Sequence, residues 1–319
     1  MSSSVRRPSS VARRALVVLA VVAALAMPDR GEACSICRCG DTTFNALGKD
    51  GYAARGFRLA FDWERFDKEE GDPAVEAESQ VENRFTLLAS YGFNQKLTLT
   101  VRVPFSVRDM QTSAPGEPTV DTHTNGFSDP EIFMQVRLWS SSMARGLGRR
   151  ASLSLTGGVK TPWGQNDVQQ DGERVDEHAQ PGTGSTDAFG SLAFLYLFDP
   201  HSALFASVGY RHTGTNDFDY RYGSTFLANL AYEHKLGRRL DGIVETNFRH
   251  AAKDVVDAAG TPDEDTGGAL LYLTPRLLVD AGHGIVFRAA VQIPVFRDLN
   301  GFQQEHPVVN VGVTYVLPR

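Results

Sequence analysis

The sequence predicts an all-β protein, a closed antiparallel transmembrane β-barrel of about twelve strands with short periplasmic turns and long extracellular loops. Three observations lead there. Hydrophobicity has a period of two from about residue 55 onward, the alternating segments are each roughly ten residues long, and long and short connections between them alternate.

The period is clearest in Lys96 to Arg108. Leu97, Leu99, Val101, Val103, Phe105 and Val107 fall on one face, and Thr98, Thr100, Arg102, Ser106 and Arg108 on the other. A helix would scatter these residues around its circumference, so this is a half-buried strand. The test yields segments at about 55–66, 82–93, 96–107, 129–140, 149–162, 186–198, 201–213, 223–236, 239–250, 267–279, 283–296 and 307–317. Ten residues is the length that crosses a bilayer as a tilted strand.

The links after even-numbered segments are mostly tight: Asn94-Gln95, Asp199-Pro200, Gly237-Arg238 and Ala281-Gly282. Those after odd-numbered segments are mostly long and polar, at 67–81, 108–128, 163–185, 251–266 and 297–306. A soluble sandwich has no reason to alternate in this way, whereas outer-membrane barrels do. Val-x-x-Pro recurs at Val101–Pro104, Val159–Pro162 and Val291–Pro294. It is expected near strand ends, because proline cannot donate to a sheet ladder.

The two faces differ in chemistry. The outward set carries Phe57, Phe61, Trp63, Tyr91, Phe93, Phe194, Tyr196, Phe198, Tyr210, Phe226, Tyr232, Phe287 and Tyr315, several near strand ends where aromatic girdles sit. The opposite, lumen-facing set carries Arg58, Arg84, Arg102, Arg137, Lys160, Arg211, Arg249, Arg276 and Arg288, with Asp62, Glu64, Glu131, Glu233 and Glu245. Charges on one face of nearly every strand would ruin a sandwich core but suit a wet or salt-bridged lumen. If the lumen is open, the cationic excess favours anions; if the charges pair with one another, they fill the barrel.

Composition agrees. The 319 residues are 42% hydrophobic and 22% charged, which excludes a disordered chain, and three cysteines exclude a disulfide scaffold. Residues 1–33 read as a secretory signal peptide: Arg6, Arg7, Arg13 and Arg14 precede an apolar Ala15–Met27, and Gly31-Glu32-Ala33 supplies the small residues of a cleavage site. Removing them leaves 27 basic against 36 acidic residues, which argues against a nucleic-acid partner. The remaining chain divides into a periplasmic segment, 34–54, and the barrel, 55–319, placed in the outer membrane of a Gram-negative bacterium with its amino terminus in the periplasm.

All three cysteines, Cys34, Cys37 and Cys39, lie in that periplasmic segment. In an exported protein the spacing suggests one disulfide with a thiol left over. Alternatively, three thiolates could hold a soft metal ion, Cu(I) or Zn(II), or one cysteine could serve acylation or a partner contact. No other cofactor is expected.

At the opposite end, Asn310, Gly312, Tyr315 and Leu317 fit the final-strand pattern read by the barrel-assembly machinery, although the chain continues to Pro318-Arg319. Four rim segments, Gly126–Pro130, Val159–Gly164, Gly182–Asp187 and Val291–Gly301, resemble in order and spacing the outer-membrane barrels associated with the meta-pathway of phenol degradation. That resemblance implies a transporter-like barrel for apolar aromatic solutes and brings no catalytic residues.

The expected function is therefore a channel or transporter for small, hydrophobic or aromatic solutes, in contact with outer-membrane lipid, and not an enzyme. One alternative is a barrel that anchors the cysteine segment as a metal or redox module. Another is a barrel-wall hydrolase drawing on His212, His234, His250 or Asp219, although no spacing among them pairs a nucleophile with its base.

Overall fold

The structure is a computed structural model that describes residues 56–72, 74–141 and 150–317. The segments 1–33 and 34–54, including Cys34, Cys37 and Cys39, lie outside the described residues.

Twelve antiparallel staves close on themselves. The first three are β1 (Gly56–Glu70), β2 (Ala77–Gly92) and β3 (Leu97–Ser113). The fourth is broken into β4 (Val120–Phe127) and β5 (Glu131–Ser140), which occupy successive lengths of the same edge of β3. The fifth is β6 (Arg150–Lys160). Two miniature strands, β7 (Gln169–Gln170) and β8 (Glu173–Arg174), pair only with each other in the loop that follows. The staves resume with β9 (Asp187–Asp199), β10 (Ser202–His212), β11 (Thr225–Lys235), β12 (Leu240–Ala251), β13 (Gly268–Gly282) and β14 (Ile285–Leu299). The last stave is again in two pieces, β15 (Gln303–Glu305) and β16 (Val308–Val316).

Both of those pieces pair with β1, which pairs with β2 on its other edge, so the sheet has no free edge. Closure matters in lipid, where each unsatisfied backbone group would cost several kcal/mol.

Burial follows the period of two. Along β11, Thr225, Leu227, Asn229, Ala231 and Glu233 are buried while Phe226, Leu230, Tyr232 and His234 are exposed. The exposed face of the barrel collects Phe61, Tyr91, Phe194, Phe198, Tyr210, Phe226, Tyr232, Phe287 and Tyr315 among many Leu and Val. An apolar surface of this extent around a closed sheet is solvated by lipid, not water. Polar residues such as Thr98, Thr100, Ser106, Thr156, Asn247 and Thr274 are buried on the enclosed face.

The structure corrects two details. Several staves run on past their expected ends into the polar connections, so the first long connection shrinks from 67–81 to the stretch between Glu70 and Ala77. Two of the prolines lie inside strands, not at their ends, and each sits where no ladder bond is lost. Pro104 stands where the β3–β5 ladder ends at Arg102–Glu131 and the β3–β4 ladder begins at Phe105–Phe127. Its carbonyl still accepts a hydrogen bond from Ser128 N at 3.0 Å. Pro294 lies just beyond Gln292–Val308, the last pair of the β14–β16 ladder, and opposite a register shift at Leu271/Tyr272.

Candidate functional site

The enclosed face of the staves carries charge on nearly every strand. Arg58, Lys160, Arg211, Arg249, Arg276 and Arg288 are buried, as are Glu131, Glu233 and Glu245; Arg84, Arg102 and Arg137 are partly buried. Buried charges are tolerable only when paired and hydrogen-bonded. Arg211 Nη2 lies 2.6 Å from Glu131 Oε1 and its Nη1 3.3 Å from Asp187 Oδ2. Arg102 Nη2 reaches the same Glu131 oxygen at 2.8 Å. Lys160 Nζ lies 3.1 Å from Asp187 Oδ2 and 3.2 Å from Asp129 Oδ2. Three cations and three carboxylates thus form one chain of contacts without net charge.

Smaller groups repeat the arrangement. Glu82 receives Arg84 at 2.9 Å, Arg108 at 3.4 Å and the Ser106 hydroxyl at 2.7 Å. Arg276 Nε donates to Glu245 Oε1 at 2.7 Å, and Arg288 Nη2 to Asp62 Oδ1 at 2.7 Å.

The connection from β6 to β9 folds back against this interior. Its two limbs are tied to Asp129, which sits in the break between β4 and β5. Oδ1 accepts from Gly164 N at 2.9 Å, and Oδ2 accepts from Thr183 N and Thr183 Oγ1, both at 2.7 Å. Lys160 also donates to Ser185 Oγ at 3.1 Å and contacts Thr183 Oγ1. At its apex a single 3-10 turn, Glu177–Ala179, is capped by Asp176, whose side chain accepts from His178 N at 2.7 Å.

Gln180 N closes the turn onto Glu177 O at 3.2 Å, and the turn's carbonyls take further partners from the β10–β11 connection and from the barrel wall. Tyr222 OH donates to Glu177 O at 2.9 Å, and Thr124 Oγ1 to Ala179 O at 2.6 Å. Gln80 Nε2 donates to His178 O at 3.0 Å and Arg108 Nη1 to the same oxygen at 2.7 Å. Gln80, Arg108 and Thr124 are buried residues of the enclosed face, so the turn lies inside the wall formed by β2, β3 and β4.

His178 joins three connections. Tyr220 OH lies 3.0 Å from its Nε2 and donates to Asp254 Oδ2 at 2.6 Å; His178 Nε2 is 3.4 Å from the same carboxylate oxygen. Asp254 Oδ1 in turn accepts from Gly223 N at 2.6 Å. Burial favours the neutral ring, but the hydrogen bond to Asp254 and the charges of Asp176, Glu70 and Asp254 outweigh it. They push the pKa from 6.5 up to about 9, so the ring is charged at neutral pH.

The enclosed face of β9 to β13 is different. Ala193, Phe205, Ala231 and Ile243 pack together, with Leu195 and Leu278 against them. An apolar patch thus interrupts an enclosed face that elsewhere on the same strands carries buried charges such as Glu233, Glu245, Arg249 and Arg276.

Period-two reading places the staves' charges but misses Asp129, Asp187 and Glu177, which lie in a strand break, at a strand start and in a loop, where alternation is undefined. His212, His234 and His250, weighed for hydrolysis, are exposed on the outward face of three different strands. His234 Nδ1 lies 3.1 Å from Ser202 Oγ, while Asp219 sits in a turn with positive φ between β10 and β11. The geometry does not gather these residues into one site.

Comparison with known proteins agrees with the architecture. The profile of the family described as "Putative MetA-pathway of phenol degradation" matches residues 65–293. An outer-membrane channel of Pseudomonas putida F1 superposes with a TM-score of 0.63 at 13% identity, covering 85% of this chain and 98% of that one. Two more distant barrels are the CymD monoaromatic hydrocarbon channel and the transport unit of the Escherichia coli autotransporter AIDA-I. Their TM-scores are 0.43 at 9% identity and 0.48 at 10%, covering 83% of this chain and 89% and 91% of theirs. No curated protein matches the chain in sequence.

Proposed function

The chain belongs to the family of the MetA pathway of phenol degradation, and from that premise we propose that it is an outer-membrane channel for small, neutral, predominantly apolar solutes of the aromatic class. One observation carries the reading: the enclosed face bears an apolar patch, Ala193, Phe205, Ala231 and Ile243, while charged residues of the same face are held in ion pairs. A neutral aromatic can pass over such a patch without leaving a fixed charge unpaired. A pore for inorganic ions would instead present an unbalanced ring of one sign. Passage is from the outside to the periplasm, with the amino terminus on the periplasmic side and β16 read by the assembly machinery.

In this reading the loop between β6 and β9 is the constriction, because it is anchored inside the wall at Asp129, Lys160 and His178. Opening requires that the His178–Asp254–Tyr220 contacts part. In planar bilayers the wild-type barrel should conduct weakly. A His178→Ala, Tyr220→Phe double variant should raise mean conductance or the frequency of open events several-fold. Equal conductance of the two proteins would overturn the gating part of the reading.

A further inference from the structure

The outward face of β9 to β13 is not uniformly convex. Between the aromatic rows Tyr210/Phe226 and Phe198/Tyr232 lies a depression of about 420 Å³. Its floor is three small side chains on successive strands. Ala206 on β10 is paired with Leu230 on β11, Ala228 on β11 with Phe248 on β12, and Thr246 on β12 with the same Leu230. Leu192 and Phe194 wall it on one side, Phe248 and Leu271 on the other. Cavities of about 300–1,000 Å³ hold ligands of drug size, and this one is lined almost wholly by carbon.

From this geometry we propose that the depression is a seat for one acyl chain of a membrane lipid, held more persistently than the lipid around the rest of the belt. Two observations favour hydrocarbon over any other occupant. The depression is continuous with the lipid-facing belt and lies between its two aromatic rows, at the depth of the acyl chains. The one polar side chain on the floor is also turned away: Thr246 Oγ1 donates to Leu230 O at 3.5 Å, leaving no hydroxyl aimed at the occupant. A flexible chain fills such a concavity with dispersion contacts that a flat, convex wall cannot supply.

The test uses the full barrel refolded into phosphatidylethanolamine/phosphatidylglycerol vesicles containing a trace of lipid with a mid-chain diazirine. After photolysis, adducts are mapped by mass spectrometry. Labelling at Ala228, Leu230 and Phe248 should exceed that at Leu277 and Phe61, exposed belt residues outside the depression, by several-fold. An Ala206→Leu, Ala228→Leu double variant, which fills the floor and retains the gel shift between unheated and boiled protein, should bring the excess down to the belt average. Three results would overturn the proposal: uniform labelling of the wild type, displacement of the label by toluene in place of lipid, or disulfide-linked dimers through a cysteine at position 228, which would make the face a contact with a second copy.

Discussion

Asp62 on β1 and Arg288 on β14 meet at 2.7 Å across the strand that separates them, and Gly312 of β16 lies directly beneath the pair. A Cβ at position 312 would overlap the Asp62 carboxylate and the Arg288 guanidinium. The glycine of the terminal pattern therefore has a local reason to be there. It leaves room for an ion pair that staples the closing seam, joining the first strand to the last two.

Substituting Gly312→Val should destabilise the folded barrel by about 1–3 kcal/mol, the usual cost of forcing extra atoms into a packed interior. Arg288→Met alone strands a buried carboxylate and should cost about 3–5 kcal/mol, while adding Asp62→Leu should recover most of that loss. Urea titration of the gel shift between unheated and boiled protein measures each value. If Arg288→Met unfolds at the wild-type midpoint, the pair does not hold the seam.

Loop attachment should depend on pH with a definite sign. The folded pKa of His178, about 9, is raised above its ordinary 6.5, so the charged ring stabilises the attached loop fully below about pH 6.5. That contribution is lost as pH rises through 9. The groups around the ring are Asp176, Asp254, Glu70 and Glu78, with Tyr220 and Tyr222 packed against it and Arg108 bound to its carbonyl. Mean conductance should rise between pH 6.5 and 9 in the wild type and stay flat in His178→Gln. A parallel rise in the variant would assign the titration to another group.

Lys160→Met removes the cation shared by Asp129 and Asp187 and leaves Arg211 to serve Asp187 alone. The limb containing Thr183 and Ser185 should then loosen. Hydrogen exchange at Thr183 N, now bonded to Asp129, should quicken at least tenfold while the amides of β11 remain protected. Unchanged exchange at Thr183 would show that Asp129 holds the limb without Lys160.

How far these features are legible before the structure depends on the element. The twelve staves follow from alternation because a half-buried strand writes its two faces into successive residues. The same alternation puts Arg211 and Glu131 on one face. It cannot say that they touch, since they are 80 residues apart and the pairing depends on register across two intervening staves. The loop was illegible for a different reason: its order comes from carbonyls bonded to Gln80, Arg108 and Thr124, and backbone acceptors leave no mark in a sequence. From sequence, Pro104 is expected near a strand end because proline lacks a donor. The structure shows that a gap between two partner strands satisfies the same requirement.

The apolar patch offers a separate test. Phe205→Asn and Ile243→Asn place amides in the apolar patch of the β9–β13 inner surface and replace no charged side chain. Uptake of a neutral aromatic should fall several-fold, with little change in small-ion conductance. Equal losses in both would indicate damage to the barrel and not to a solute path.

The central claim is tested most directly by uptake of radiolabelled phenol at low concentration into intact Gram-negative cells, with and without this barrel, alongside benzoate as a charged analogue of similar size. The account predicts a several-fold faster initial rate for phenol when the barrel is present, and no acceleration for benzoate. Benzoate entering faster than phenol, or neither rate changing while the barrel is correctly inserted, would contradict it.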